Sequence, residues 1–258
     1  MRFCSLGSGS GGNATIVEAR SGATTSRLLI DSGFSLRELG LRLARAGLGG
    51  DDVDAVFVTH EHGDHIGCAV AFARLYRLPL WMSRGTWRAI GEPESDGLLR
   101  FARDGQAIAV GDLHLMPYTV THDAQEPLQL RCSDGARHLG VLTDAGSITA
   151  HLTANLQGCD ALLLECNHDA GLLAASRYPA FLKQRIGGRF GHLSNDTAAQ
   201  ILGACQHAGL RHVVAAHLSA QTNRPDLARD ALARVCGAAP GDIAVADPLL
   251  GFGWLDLR

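Results

Sequence analysis

What this chain of 258 residues lacks narrows it first. No stretch approaches the roughly 18 apolar residues of a membrane span, and the start, "MRFCSLGSGSGGNATIV", has no apolar core of a secretory signal. The expectation is a cytoplasmic protein without a membrane partner. The seven cysteines (Cys4, Cys68, Cys132, Cys159, Cys166, Cys205 and Cys236) include no C-x-x-C pair. That odd, unpatterned set argues against a disulfide frame or a zinc ribbon and for reduced thiols, mostly in the core. Lysine is almost missing: Lys183 stands alone, and every other basic side chain is arginine. For most of them this reads as compositional bias. A net charge of −3 argues against wholesale coating of nucleic acid. Repeats, low-complexity tracts and linkers are absent too, so residues 1–258 are expected to form one domain. With 46% hydrophobic and 19% charged residues, the chain can bury a substantial core.

What is present alternates between two periodicities. "ATIVEA" and "RLLID" read as strands joined by the turn "RSGATTS", and "VDAVFVT", "LPLWMS", "AIAVG", "LHLMPYTVT", "LQLRC", "HLGVLTD", "DALLLEC", "HVVAAHL", "DIAVAD" and "FGWLDL" as further strands. "SLRELGLRLARAGL" places Leu36, Leu39, Leu43 and Leu48 at helical spacing. "DHIGCAVAFARLYR", "NDTAAQILGACQHAGL" and "RPDLARDALARVCG" read as helices as well. Strand blocks alternating with helices predict a layered α/β architecture with two sheets between helices.

Several apolar strands end on a residue able to bind a metal: "AVFVT" at His60, "PYTVT" at His122, "LGVLT" at Asp144 and "HVVAA" at His217, while "ALLL" ends at Glu165, three residues before His168. One such ending is ordinary. Four of them, beside "HEHGDH" (60–65), imply a metal site on loops above one sheet edge. His60 and His62, two apart on an extended loop, can point the same way, and imidazole suits zinc, manganese or iron. Asp64 and His65 follow at the start of a helix, offset enough to face a second ion. Neither pair fills a coordination sphere, so His122, Asp144 and His217 are the expected partners, with Asp144 able to bridge. Two divalent ions sharing a hydroxide would supply a nucleophile at neutral pH.

The pattern H-x-H-x-D-H after a strand, followed by His, Asp and His at later strand ends, resembles the metallo-β-lactamase fold hydrolases. That resemblance implies a four-layer αβ/βα sandwich of two mixed sheets flanked by helices, without the β-CASP insertion, since only 72 residues lie between Asp144 and His217. It assigns His60, His62 and His122 to one metal, Asp64, His65 and His217 to the other, and Asp144 to both. "SLGSGSGGNATIV", "LLIDSG", "VTHEHGDHIG", "THDA", "LTDAG", "LLLECNHD", "YPAFLKQRIGGRFGHLSN" and "AAHLS" are similar, in that order, to the YycJ (WalJ) group of bacterial nucleases. The group implies metal-dependent phosphodiester hydrolysis of nucleic acid, in the form of a 5′-to-3′ DNA exonuclease using two Zn or Mn ions.

From Arg177 to Asn195 there are four cationic residues and no acid. Arg185 and Arg189 there are candidates to track a phosphate backbone, or simply one solvated helix face. The resemblance makes His192 a catalytic residue beside Asp64, donating a proton to the leaving oxygen. "GSGSGGN" could cradle a phosphate or form a hairpin turn; Ser10 and Asn13 are kept as substrate-side candidates, with His168 and Asn195. Asp31 is expected to orient a ligand loop. The competing reading is a small-molecule ester, thioester or lactone hydrolase on the same fold, against which the cationic strip and "GHLSN" count. An exported β-lactamase, a di-iron oxidoreductase, in which a carboxylate would replace His62, and a nonenzymatic module fit less well.

Overall fold

The computed structural model describes residues 1–257. The first part of the chain forms β1 (Arg2–Gly7), β2 (Ala14–Ser21), β3 (Thr24–Ile30), α1 (Leu36–Arg45), β4 (Ala55–Phe57), α2 (Gly63–Ile66), α3 (Ala69–Tyr76), β5 (Leu80–Met82), α4 (Arg84–Ala89) and β6 (Leu99–Phe101). The remainder forms β7 (Ile108–Val110), β8 (Leu113–Thr119), β9 (Leu128–Ser133), β10 (His138–Leu142), α5 (Ala150–Leu156), β11 (Ala161–Glu165), α6 (Ala170–Ala175), α7 (Ala180–Ile186), α8 (Asn195–Cys205), β12 (His212–Ala216), α9 (Pro225–Cys236), β13 (Ala244–Val245) and β14 (Phe252–Asp256).

The strands make two seven-stranded sheets, ordered β14-β1-β2-β3-β4-β5-β6 and β13-β12-β11-β10-β9-β8-β7. Each is antiparallel on one side and becomes parallel at β3–β4 or β10–β11. Phe3, Val17, Leu28 and Phe57 of the first sheet share a buried cluster with Leu115, Leu130, Val141 and Leu163 of the second. Leu39, Leu43, Phe72 and Trp87 seal the outer face of the first sheet, and Leu152, Leu156, Ile201 and Leu232 that of the second. Helices, sheet, sheet, helices: the four expected layers are there, because each sheet is apolar on both faces and must be covered on both. No helix among the described residues is long and apolar enough to cross a membrane. All seven cysteines are free, and five are buried.

Two local expectations are corrected. The turn "RSGATTS" shrinks to Gly22 and Ala23, because the β2–β3 ladder runs on to Ser21 opposite Thr24. The helix expected across residues 64–77 is two helices, α2 and α3, broken at Gly67 with φ 31°. A Cβ there would lie 2.3 Å from the Ser32 carbonyl oxygen, so the break lets the metal-loop segment press against the turn after β3.

The ladder also carries an ionic knot. Glu18 on β2, with no exposed side chain, accepts from Arg2 Nε (2.6 Å), Arg20 Nε (2.7 Å) and Arg27 Nε (2.8 Å), joining β1, β2 and β3. Burial opposes its charge, but the guanidinium hydrogen bonds win and lower its pKa from the ordinary 4.5 to about 2. A depressed folded-state pKa stabilises above the unfolded value and is lost as pH falls through the folded one. Glu18→Gln should therefore cost on the order of 3 kcal/mol at pH 7. In urea denaturation the gap between the two proteins should close progressively between pH 4.5 and about 2; a gap independent of pH would show that the charge is not its source.

Candidate metal centre

The parallel strands deliver their C-terminal ends to one edge, where an open α/β sheet places its ligands. Asp31 follows β3, His60 follows β4, Asp144 follows β10, Glu165 ends β11 and His217 follows β12. His122 follows β8, and His192 enters from the loop after α7. Buried strands fix these positions to within a side chain's reach.

Around them stands a layer that sets which ring nitrogen faces inward. His65 Nδ1 lies 2.7 Å from Asp31 Oδ2, and His122 Nδ1 donates to the Gly191 carbonyl at 2.9 Å. His60 Nδ1 is 3.0 Å from Thr59 Oγ1, whose hydroxyl donates to Asp31. His192 Nδ1 is 2.8 Å from Glu165 Oε1. Each outer partner leaves Nε2 of its ring for the centre or its cavity, the usual second layer of a metal-binding histidine. His62 is the reverse case: Nε2 meets the Asp123 carbonyl at 3.2 Å and Nδ1 turns inward. Asp31 and His217 hold left-handed backbones, with φ 59° and 53°. Such strain in non-glycine residues persists only where the surroundings enforce it. Here the Asp31 carboxylate is tied to Thr59 N at 2.8 Å, and His217 N to Ser8 Oγ at 2.8 Å.

Inward, His60 Nε2 and His122 Nε2 lie 3.1 and 3.2 Å from His62 Nδ1. Four overlapping sets bring potential ligand atoms within 4.8 Å of one another: His60, His62 and His122; Asp64, His65 and His217; His60, His65 and Asp144; and Asp144, Glu165, His192 and His217. The first two are the trios expected from the sequence, and Asp144 stands between them.

Asp144 is only 1% exposed, and neither of its oxygens has a hydrogen-bond partner. Imidazole nitrogens surround it nonetheless, His65 Nε2 at 2.9 Å, His192 Nδ1 at 3.1 Å and His217 Nδ1 at 3.3 Å. These are charge contacts without hydrogen-bond alignment. A buried carboxylate ordinarily requires bonded partners, so its orphaned oxygens, ringed by nitrogen donors, fit a divalent cation.

Protons take over that compensation when no cation is present. Burial disfavours charge on the His60, His65, His122, His192 and His217 rings. Glu165 and Asp144 nevertheless raise His192 to about 10, Asp144 and Asp64 raise His217 to about 9, and Asp144 and Asp31 hold His65 well above the usual range. His60, pushed well down by burial and then by the charged His65, stays neutral; burial lowers His122 too. Burial also resists ionisation of Asp144, but His217 and His65 hold its pKa well below the ordinary range. Metal binding must therefore displace protons here.

A cavity of about 280 Å³ opens over the cluster, and Ser10, His62, Asp64, Asp144, Arg185, His192 and His217 reach it. The other proposed substrate contacts are placed differently. Asn13 is buried, bonded to Gly9 N (2.8 Å) and 3.1 Å from His65 Nε2, and its backbone N–H donates to the Asp64 carbonyl at 2.8 Å. Asn195 is buried and exchanges two hydrogen bonds with Asn223. His168 is 4% exposed. Asn13 thus braces the metal loop, Asn195 is tied to Asn223, and none of the three lines the cavity. The glycine-rich run is the β1–β2 turn that carries Asn13 to the metal loop. Arg189 lies outside the cavity, its guanidinium 5.6 Å from the Phe190 ring. The acid-free strip also meets an acid from elsewhere: Arg185 Nε is 2.6 Å from Asp123 Oδ2.

Two participants were given no specific role by the sequence, where Glu165 is only a further strand end and Asp123 carries no signal. Glu165 is fully buried, donates nothing, and accepts from Ala145 N at 2.8 Å while holding His192. Its position at a strand end, like that of Asp144 and His217 beside strand ends, was the available signal. Asp123 faces both His62 and Arg185, and only the loop's fold reveals it.

Comparison with known proteins fits this geometry. Residues 7–145 match the family described as the metallo-beta-lactamase superfamily. The chain is 34% identical over 239 residues to "Exodeoxyribonuclease YycJ" of Bacillus anthracis, covering 91% of this chain and 89% of that one. It is 30% identical over 232 residues to "Exodeoxyribonuclease WalJ" of Streptococcus pneumoniae, covering 88% and 85%. Among solved structures, the metallo-beta-lactamase fold protein YhfI of Bacillus subtilis superposes with a TM-score of 0.74 over 99% of both chains at 17% identity.

Proposed function

The chain belongs to the metallo-beta-lactamase superfamily, within the group of the YycJ and WalJ exodeoxyribonucleases, and from that premise we propose that it is a metal-dependent exonuclease acting on DNA in the 5′-to-3′ direction. The observation that carries the metal requirement is Asp144, buried and without a hydrogen bond among imidazole nitrogens. The names of the relatives support the substrate.

His60, His62 and His122 would hold one divalent ion, Asp64, His65 and His217 the other, and Asp144 would face both. When bound, the ions supply Lewis acidity towards the phosphate and an activated water. The chain does the rest. Asp31, Thr59, Gly191 and the Asp123 carbonyl aim the imidazoles. Arg185, held against Asp123 at the cavity wall, would steer a phosphate. His192, with Nδ1 held by Glu165, offers Nε2 to the leaving oxygen.

Digestion of end-labelled DNA tests the assignment. Chelator-treated protein should be inactive, Zn or Mn should restore it, and mononucleotides should be released first from the 5′ end. First release from the 3′ end would reverse the polarity. Cleavage undiminished after complete metal removal would overturn the function.

A further inference from the structure

The loop after His122 walls a second concavity. It has a volume of about 590 Å³ and lies between α4, the residues that follow β6 and residues 125–126. Arg84, Arg88 and Arg103 line it, all exposed. Elsewhere the chain matches many of its arginines to carboxylates, as at Arg2, Arg27, Arg42 and Arg137. Among the described residues, no carboxylate pairs with these three. Arg84 instead lies 4.3 Å above the Phe101 ring. The two acids in the cleft are engaged with other groups. Glu126 accepts from Gly85 N at 2.7 Å, and Asp104 accepts from Thr119 N at 3.3 Å and meets His151 Nε2 at 2.9 Å.

One short wall separates this cleft from the metal centre. Asp123 lines the cavity over the metal ligands, while Gln125 and Glu126 line the cleft. Glu61, between His60 and His62, accepts from Gln125 N at 2.7 Å and from Thr86 Oγ1 at 3.4 Å. The ligand loop and the cleft wall are thus one braced unit.

We propose that the Arg84–Arg88–Arg103 cleft is a second substrate subsite, gripping backbone phosphates of the nucleic-acid strand whose scissile phosphate lies at the metal centre. The proposal rests on the nuclease reading. Arg84 and Arg88, four apart on α4, share a helix face, and Arg103 answers them from the other side of the cleft. Guanidinium forks spread along an open surface suit successive phosphates better than one small anion. Contacts of this kind position a strand without reading its sequence. Strands long enough to cross residues 123–126 should bind tighter than shorter ones.

The test is steady-state kinetics of the triple variant Arg84→Gln, Arg88→Gln, Arg103→Gln on long single-stranded DNA and on a nitrophenyl phosphodiester, across a salt series. KM for DNA should rise about tenfold or more, with kcat within about twofold. Loss of three phosphate contacts at ~0.7 each should flatten the plot of log KM against log salt by about 2. The nitrophenyl diester, too small to reach the cleft, should be hydrolysed unchanged. The corresponding triple Lys variant keeps the charge and should keep most of the salt slope. An unchanged KM and slope in the Gln variant, with the parent active on DNA, would overturn the subsite alone. A Lys variant as impaired as the Gln variant would assign the arginines a structural role. A parent that hydrolyses the nitrophenyl diester but no nucleic acid would remove the nuclease reading and the subsite together.

Discussion

Exchanging Asp64 for alanine, or Asp144 for asparagine, should take DNA hydrolysis down to that of the metal-free protein, with the chain still folded. Asp64 is partly open to the cavity, its Oδ2 3.4 Å from His217 Nε2 and 3.8 Å from His65 Nε2. Its loss leaves a trio one ligand short. Asp144 lies deeper, 2.9 Å from His65 Nε2 and 3.8 Å from His122 Nε2, one from each proposed trio, so in a two-ion centre its loss would weaken both sites. Lewis-acid stabilisation is worth several kcal/mol, and each 1.36 kcal/mol is tenfold in rate, so the expected fall is about 10³-fold or more. Neither side chain is itself a member of the three apolar clusters, and thermal unfolding should remain cooperative. The checks are metal content by mass spectrometry, unfolding by circular dichroism and release of labelled nucleotide. Full nuclease activity in a metal-depleted Asp64→Ala protein would refute a two-metal centre.

The second large effect belongs to His192. Its Nδ1 is 2.8 Å from Glu165 Oε1, and the ring lines the cavity at 22% side-chain exposure. The buried Glu165 holds the ring and favours its charged form, the state that can donate a proton. His192→Ala should slow DNA cleavage by roughly 10²–10⁴-fold, the usual contribution of a general acid. The loss should depend on the leaving group. A nitrophenolate departs without a proton and should be largely spared, whereas the alkoxide of a DNA strand should suffer most. Equal slowing of both substrates with metal intact would mean that His192 holds the phosphate. Because Nδ1 also lies 3.1 Å from Asp144 Oδ1, metal content must be measured in the same preparation. Loss of metal would make His192 a ligand.

The sequence alone determined the layered fold and which strand ends carry candidate metal ligands; the division of those ligands into two trios is what the family resemblance implies. The reason is local: strand periodicity sets where a strand ends, and His60, His122, Asp144 and His217 sit at such ends or on the loop just beyond, so pattern and position coincide. Glycine placement was less legible. Gly67 breaks a helix because of the Ser32 carbonyl opposite it, a contact made by residues 35 positions apart. The substrate side was decided by tertiary structure. "GSGSGGN" has the composition of a phosphate cradle, but Asn13 is spent on Gly9 and the Asp64 carbonyl. Asn195 is spent on Asn223, 28 residues away. The strip from Arg177 to Arg189 contains no acid in sequence, yet Asp123 meets Arg185 across the cavity. Conversely, Glu165 looked like one more strand end until folding set it under His192, and Arg84, Arg88 and Arg103 lie together only because α4 and the segment after β6 face one cleft. A metal ligand can be read from its chemistry and its place on a strand. Whether a polar side chain is free to meet a substrate depends on what else lies within hydrogen-bond reach, and only the packing of distant segments fixes that.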